Sequence, residues 1–150
     1  MRVVIQRVSE ASVKIDGRIS GKIGKGLLIL IGIELEDDRS DADWLIQKII
    51  GLRIFSDQEG KMNLSVGEVD GRFLVVSQFT LHASTKKGNR PSYVKAARPE
   101  HAIPLYEYFV DSMGAISSTK VETGKFGADM KVSLVNDGPV TILMDSKNKE

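Results

Sequence analysis

Ser77-Gln78-Phe79-Thr80-Leu81 places two hydroxyls and a carboxamide at the end of an apolar run, Phe73-Leu74-Val75-Val76. Polar groups where a strand leaves a core have two uses. They carry the chain into solvent, or they aim hydroxyls and backbone N–H groups into a pocket where an acyl carbonyl can be polarised. Read as a continuing strand, the segment turns Ser77 and Phe79 to one side and Gln78 and Thr80 to the other. A second segment, Lys86 to Tyr93, reads KKGNRPSY. Its Lys86, Lys87 and Arg90, with Lys95 and Arg98 close by, make either a solvated loop or a set of phosphate contacts. A third, Asn136 to Thr141, reads NDGPVT between the apolar runs KVSLV and VTILM. Asn-Asp-Gly is a hairpin-turn signal. Pro139 has no N–H to give to a ladder, and only about 5–6% of X–Pro bonds are cis, so the residues alone favour a plain trans turn.

Other chemistries find little material. His82 and His101 are the two histidines. His82 either lines a site or is structural, and strand alternation sets it on Thr80's side. His101 falls near a helix start and reads as solvated. No HExxH spacing, G-x-S-x-G elbow or Walker loop occurs, so neither a metal nor a cofactor is expected. The glycines of GKGLLILIG read as turn residues. With no cysteine, thiol nucleophiles, thiolate metal sites and disulfides are excluded, which suits a reducing cytoplasm. A net charge of +1 argues against coating long nucleic acid but allows contact with an end. The apolar run Leu27–Ile33 is too short to cross a bilayer, and the N-terminal residues show no signal-peptide pattern.

These segments need a scaffold. The length suits one domain, residues 1–150. MRVVIQRV, EASVKID, RISGKI and LLILIGIE read as a meander, with turns at Asp16-Gly17 and Gly24-Lys25-Gly26 and a last strand buried on both faces. Ala42, Leu45, Ile46, Ile49 and Ile50 mark one face of a helix, with Ser40 and Asp43 as a variant capping box. Ala102, Leu105, Tyr106, Phe109, Val110 and Met113 mark a second helix, with Pro104 expected in its first turn. GRFLVVSQFTLHA is expected as one long strand, and the C-terminal region as strands broken by a bulge near Gly124 and Gly127. Seven or eight strands and two helices outside a regular βαβ alternation imply an α+β fold: an antiparallel or mixed, barrel-like sheet with two external helices.

Taken together, Ser77–Leu81 (SQFTL) and Asn136–Thr141 (N-x-G-P-V-T), with the opening MRVVIQRVSEASV and the K-G-x-R-P-S pattern at Lys87–Ser92, resemble the D-aminoacyl-tRNA deacylases. The resemblance runs in order through essentially the whole chain. His82 stands where that family often has Tyr, and Asn89 where a second Arg is common.

The resemblance implies hydrolysis of the ester at the aminoacyl-tRNA 3′ end. It implies a homodimer in which Gly138-Pro139, with a cis peptide, enters the partner's active site. There the two carbonyls face the α-carbon, so that an L side chain collides while a D side chain or glycine passes. Asn136 and Thr141 belong to the same selection motif, and Lys86, Lys87 and Arg90 would touch tRNA. Ser77, Gln78, Phe79 and Thr80 would form the catalytic segment. Thr80 acting as nucleophile would want a neighbouring base. The alternative uses the N–H groups of Phe79 and Thr80 to polarise the carbonyl while the ribose 2′-hydroxyl helps activate water, and it suits a site without titratable groups. A non-catalytic module binding RNA ends is the rival class.

Overall fold

The computed structural model describes residues 1–150. Its elements are β1 (Arg2–Ile15), β2 (Arg18–Ile23), β3 (Gly26–Gly32), α1 (Arg39–Ile50), β4 (Phe55–Ser56), β5 (Met62–Leu64), β6 (Arg72–Ser77), α2 (Pro99–Ser117), β7 (Val121–Thr123) and β8 (Lys131–Asp145). Short 3-10 turns cover Gly67–Val69 and Phe79–His82.

β1 is long enough to take two neighbours in succession. Its first half pairs antiparallel with β3, from Arg2↔Gly32 to Val8↔Gly26. Its second half pairs with β2 across the Asp16-Gly17 turn, where both residues have positive φ, as a two-residue hairpin requires. β8 runs antiparallel to β1 from Arg2↔Asp145 to Lys14↔Lys131. On the far side of β3 the sheet becomes parallel, β3 with β6 and β6 with β7. The Ser20 hydroxyl donates to the Thr123 carbonyl at 3.1 Å, which brings β2 to β7 and nearly closes the barrel.

The expected mixed, barrel-like sheet with two helices is therefore present. The helices, however, do occupy crossovers between parallel strands: α1 lies between β3 and β6, and α2 between β6 and β7. The small β4–β5 pair and the long loops disguise that alternation.

α1 and α2 bury Ala42, Leu45, Ile46, Ile49, Ala102, Leu105, Phe109 and Met113 against Val3, Ile5, Leu27, Ile29, Ile31, Phe73 and Val75. Val8, Val13, Ile23, Leu28, Leu74 and Val76 form a second core. Neighbouring residues of β3, such as Leu27 and Leu28, belong to different cores, so the strand is buried on both faces as its apolar run implies.

Three local expectations shift. The cap of α1 is Asp38, whose carboxylate accepts from the N–H of Ser40 at 2.8 Å, while Asp41 returns a bond from the Asp38 N–H at 2.9 Å. The capping box therefore sits two residues ahead of the Ser40–Asp43 reading. α2 begins at Pro99, so Pro104 lies in its second turn, on an exposed side. KVSLV and VTILM are not two hairpin strands but parts of the single strand β8.

Candidate active site

β6 ends at Ser77. The Gln78 N–H extends the parallel ladder once, donating to the Ile31 carbonyl at 2.7 Å. The chain then coils into the 3-10 turn Phe79–His82, closed by Leu81 N–H to Gln78 O at 3.2 Å and Ala83 N–H to Thr80 O at 3.0 Å. Gly32 allows this. A Cβ there would stand 2.9 Å from Leu81 Cβ and 3.0 Å from both Gln78 O and His82 Cδ2. Gly32 is thus a close-packing residue rather than a turn residue, and the two-sided alternation expected of 77–80 gives way to a turn. The first N–H groups of a helical turn have no acceptor inside it; here they belong to Phe79 and Thr80. The Thr80 hydroxyl accepts a hydrogen bond from the Gln78 carboxamide.

Ser77, Gln78 and Phe79 line a cavity of about 270 Å³, together with Val76, Val132 and the segment Phe126–Met130. The opposing segment was absent from the candidate site residues. The one local signal for it is Gly127, whose φ of +77 marks a turn. Thr80 is not part of the lining and reaches the cavity through Gln78. A cavity of about 340 Å³ lies elsewhere, between Trp44, Leu81 and β1–β8 residues such as Arg2 and Leu143. It contains no member of the Ser77–Thr80 group.

His82 is not on Thr80's side. The turn rotates it into the interior, where it is 2% exposed and neither ring nitrogen has a hydrogen-bond partner. Its Nδ1 lies 3.9 Å from a carboxylate oxygen of Glu34. His101 is exposed, but its Nε2 sits 2.8 Å from the Asp37 carbonyl oxygen. Tyr106, from α2, braces β6 by donating its hydroxyl to the Val75 carbonyl at 2.9 Å, and burial pushes that phenol up to about 12.

The basic loop is pinned at its base by two backbone bonds between Ser84 and Ser92, at 2.8 and 2.9 Å. Gly88, with φ +78, lies between these ends. Lys86, Lys87 and Arg90 are exposed. Just past the loop, the Tyr93 ring meets the Phe79 ring edge-to-face, with centroids 5.0 Å apart.

Residues 136–141 form a bulge inside β8. Asn136 pairs with Val8 and Thr141 with Gln6, so Asp137–Val140 stand opposite Arg7 alone. The Gly138–Pro139 peptide is cis and Gly138 has φ +133, in place of the trans turn that the residues alone favour. Asn136 and Thr141 clamp the bulge: both donate to the Gln6 side-chain oxygen at 2.7 Å, and the Val140 N–H donates to the Asn136 side-chain oxygen at 3.2 Å. Arg7, which the sequence reading passed over, donates from Nε to the Asp137 carbonyl at 2.8 Å and from Nη1 to the Ile54 carbonyl at 2.6 Å. Gly138 and Pro139 are exposed and do not line their own chain's cavity beside Ser77–Phe79.

A family model described as D-Tyr-tRNA(Tyr) deacylase matches residues 4–145. A Flavobacterium psychrophilum protein called D-aminoacyl-tRNA deacylase is 65% identical over 150 residues, the whole of both chains. Proteins of the same name from Bacteroides fragilis and Akkermansia muciniphila are 63% identical over the same span. The solved structure titled c-Myc DNA Unwinding Element Binding Protein aligns with a TM-score of 0.90 and 39% identity, covering 97% of this chain and 98% of that one. The structure of a probable eukaryotic D-amino acid tRNA deacylase shares the fold at a TM-score of 0.82 and 15% identity, covering 95% and 97%. Matched along nearly its whole length by the model and throughout by these relatives, the chain belongs to the D-Tyr-tRNA(Tyr) deacylase family.

Proposed function

We propose that the chain, as one cytoplasmic domain spanning residues 1–150, hydrolyses D-aminoacyl-tRNA to free D-amino acid and tRNA. The observation that carries this reading is the Phe79–His82 turn. In a chain of this family, it offers two backbone N–H groups next to a cavity of suitable size. The ester carbonyl oxygen would accept from the N–H of Phe79 and Thr80, which stabilise the charge that develops as water adds. The terminal ribose 2′-hydroxyl helps activate that water. Collapse of the tetrahedral intermediate breaks the bond to the 3′-oxygen, which leaves with a proton. Thr80 positions through its bond with Gln78. The inward-facing His82 makes no hydrogen bond to it, which favours this route over a threonine nucleophile.

Chirality would be read by a second copy, whose Gly138-Pro139 carbonyls close the cavity. Two features support such a dimer. β8 pairs with β1 and has no second partner in its own chain, and Leu134, Val135 and Leu143 along it are exposed. The clamped bulge also presents Gly138 and Pro139 outward. A glycyl group has no side chain to collide and passes the same filter. Lys86, Lys87 and Arg90 would meet tRNA phosphates.

Release of amino acid from matched D- and L-aminoacyl-tRNA, with sedimentation at the assay concentration, tests both parts. Equal rates for the two enantiomers, or full activity in a monomer, would overturn the selection scheme. One relative is named for binding a DNA element, which favours a second reading, a module that binds nucleic-acid ends without chemistry. Absence of ester hydrolysis under single-turnover conditions would select it.

A further inference from the structure

We infer that His82 and Glu34 form a latch on the Phe79–His82 turn, in which the ring Nδ1–H donates to the Glu34 carboxylate as substrate is seated, and that His82 is thereby a positioning residue for the carbonyl site. The inference rests on the deacylase reading above and adds a residue to its machinery. Neither side chain is occupied elsewhere in the fold. His82 is the one residue whose buried side-chain nitrogens have no hydrogen-bond partner in the chain. The Glu34 carboxylate is only 16% exposed, and its single contact within ion-pair range is the His82 ring, at 3.9 Å. That separation is about 1 Å too long for an N–H···O bond. A buried imidazole is costly to leave unpaired, so its place in the core calls for a reason.

The position of the pair supplies one. The turn is attached to the end of β3 at closely spaced points. The Ile31 carbonyl accepts from the Gln78 N–H at 2.7 Å, just ahead of the turn. Gly32 leaves room for Leu81 and for the His82 ring. Glu34 meets the same ring, and its attachment is the one left open. The Glu34 backbone is held in place: its N–H donates to the Asp37 carboxylate at 2.8 Å, and the residue bridges to Ala96. Closing the gap therefore pulls on the turn. The Leu81-to-Gln78 and Ala83-to-Thr80 backbone bonds tie the turn into one unit, so a shift at His82 reaches the N–H groups of Phe79 and Thr80. Hydrogen bonds that serve a reaction are commonly long until the reacting complex forms. A bond gained at that stage favours the transition state over the bound substrate.

The test is steady-state hydrolysis of D-aminoacyl-tRNA by His82→Phe, Glu34→Ala and His82→Asn. His82→Phe keeps a ring in the core without a donor. Glu34→Ala removes the acceptor and leaves the buried ring alone. His82→Asn keeps a donor near the Nδ1 position. The first two should lose at least about ten-fold in kcat with KM little changed, since a small misplacement of catalytic groups costs up to about 10²-fold. His82→Asn should recover part of the loss. His82→Phe and Glu34→Ala combined should be no slower than either alone, because both remove the same bond. Circular dichroism establishes folding, and Glu34→Ala carries the test by itself where the core substitution does not fold. Ring-nitrogen NMR, with His101→Gln to assign the two histidines, should show a protected Nδ1 proton once an RNA hairpin with an amide-linked D-aminoacyl group is bound. A parental kcat in Glu34→Ala, losses that multiply in the double variant, or an unprotected Nδ1 proton in the complex overturns the latch and leaves the deacylase reading intact. Parent protein that releases no amino acid overturns that reading and the latch with it.

Discussion

The guanidinium of Arg7 ties the bulge of β8 to the loop ahead of β4, with one donor on the Asp137 carbonyl and another on the Ile54 carbonyl. Asp137 immediately precedes Gly138, so Arg7 anchors the backbone next to the Gly138-Pro139 carbonyls. Arg7→Leu leaves two acceptors without a partner, and the one on buried Ile54 alone costs about 1–3 kcal/mol. We expect the melting temperature to fall by roughly 5–10 °C and the preference for D over L substrates to shrink. An unchanged D-to-L rate ratio in the folded variant would show that the bulge holds its shape without Arg7.

Gly138→Ala tests the same contact from the other side. A Cβ at Gly138 would lie 2.6 Å from Arg7 Nη2, on a backbone with φ +133 that L side chains rarely adopt. The bulge must move, and in the proposed scheme a main-chain filter that has moved rejects less well. L-aminoacyl-tRNA hydrolysis is expected to rise relative to D, measured as a ratio because both rates can fall.

Thr80→Ala removes the acceptor for the Gln78 carboxamide but leaves both backbone N–H groups in place. Activity should drop by up to roughly a hundred-fold, about 2.7 kcal/mol, and remain measurable. Thr80→Ser should recover most of it. Complete loss in folded Thr80→Ala, or a covalent threonyl ester trapped by acid quench, would make Thr80 the nucleophile instead.

Acid stability has an identifiable source at the start of α1. Burial opposes ionisation of Asp41, but its bonds to Lys147 at 2.8 Å and from the Asp38 N–H outweigh that and lower its pKa from 3.8 to about 2. A carboxylate with a depressed folded-state pKa stabilises the fold fully above its unfolded value and loses that contribution as pH falls toward the folded one. The window is therefore pH 4 down to 2. Since Lys147 is 41% exposed, solvent screening limits the effect to about 1–2 kcal/mol. Asp41→Asn should be less stable near pH 6 and converge with the parent near pH 2. Parallel acid-unfolding curves would contradict this assignment.

Replacing Lys86, Lys87 and Arg90 together by Gln should weaken RNA binding at low salt and flatten its salt dependence. Three lost phosphate contacts reduce the slope of log K against log salt by roughly 2. A slope that does not change would return the loop to solvent.

Much of this architecture was legible because it is written locally. The apolar spacing of Ala42–Ile49 and Ala102–Met113, the Asp16-Gly17 turn and the two-faced burial of β3 all follow from neighbouring residues. Two features of the site do not. From residue types, alternation continues past Ser77; the turn at Phe79 exists because Gly32, on another strand, leaves room for Leu81 and Gln78. Asn136-Asp137-Gly138 has a hairpin signature, yet β1 pairs on both sides of it and Arg7 draws the surplus residues into a bulge. The opposing wall, Phe126–Met130, is distant in sequence from Ser77–Phe79, and Gly127 signals only a turn there. The segments Ser77–Leu81 and Asn136–Thr141 are visible as motifs, while the contacts that shape them are non-local.

β8 has a further consequence for the newly folded chain itself. Fifteen residues of strand with one edge unpaired, carrying Leu143 at 72% and Val135 at 50% exposure, form a template for indiscriminate strand addition. Rapid capture by a second copy would shield that template, so the proposed dimer would protect the newly folded chain from aggregation as well as completing the proposed filter. A variant unable to pair through β8 should then appear in light scattering as growing aggregates, and not persist as an inactive but well-behaved monomer.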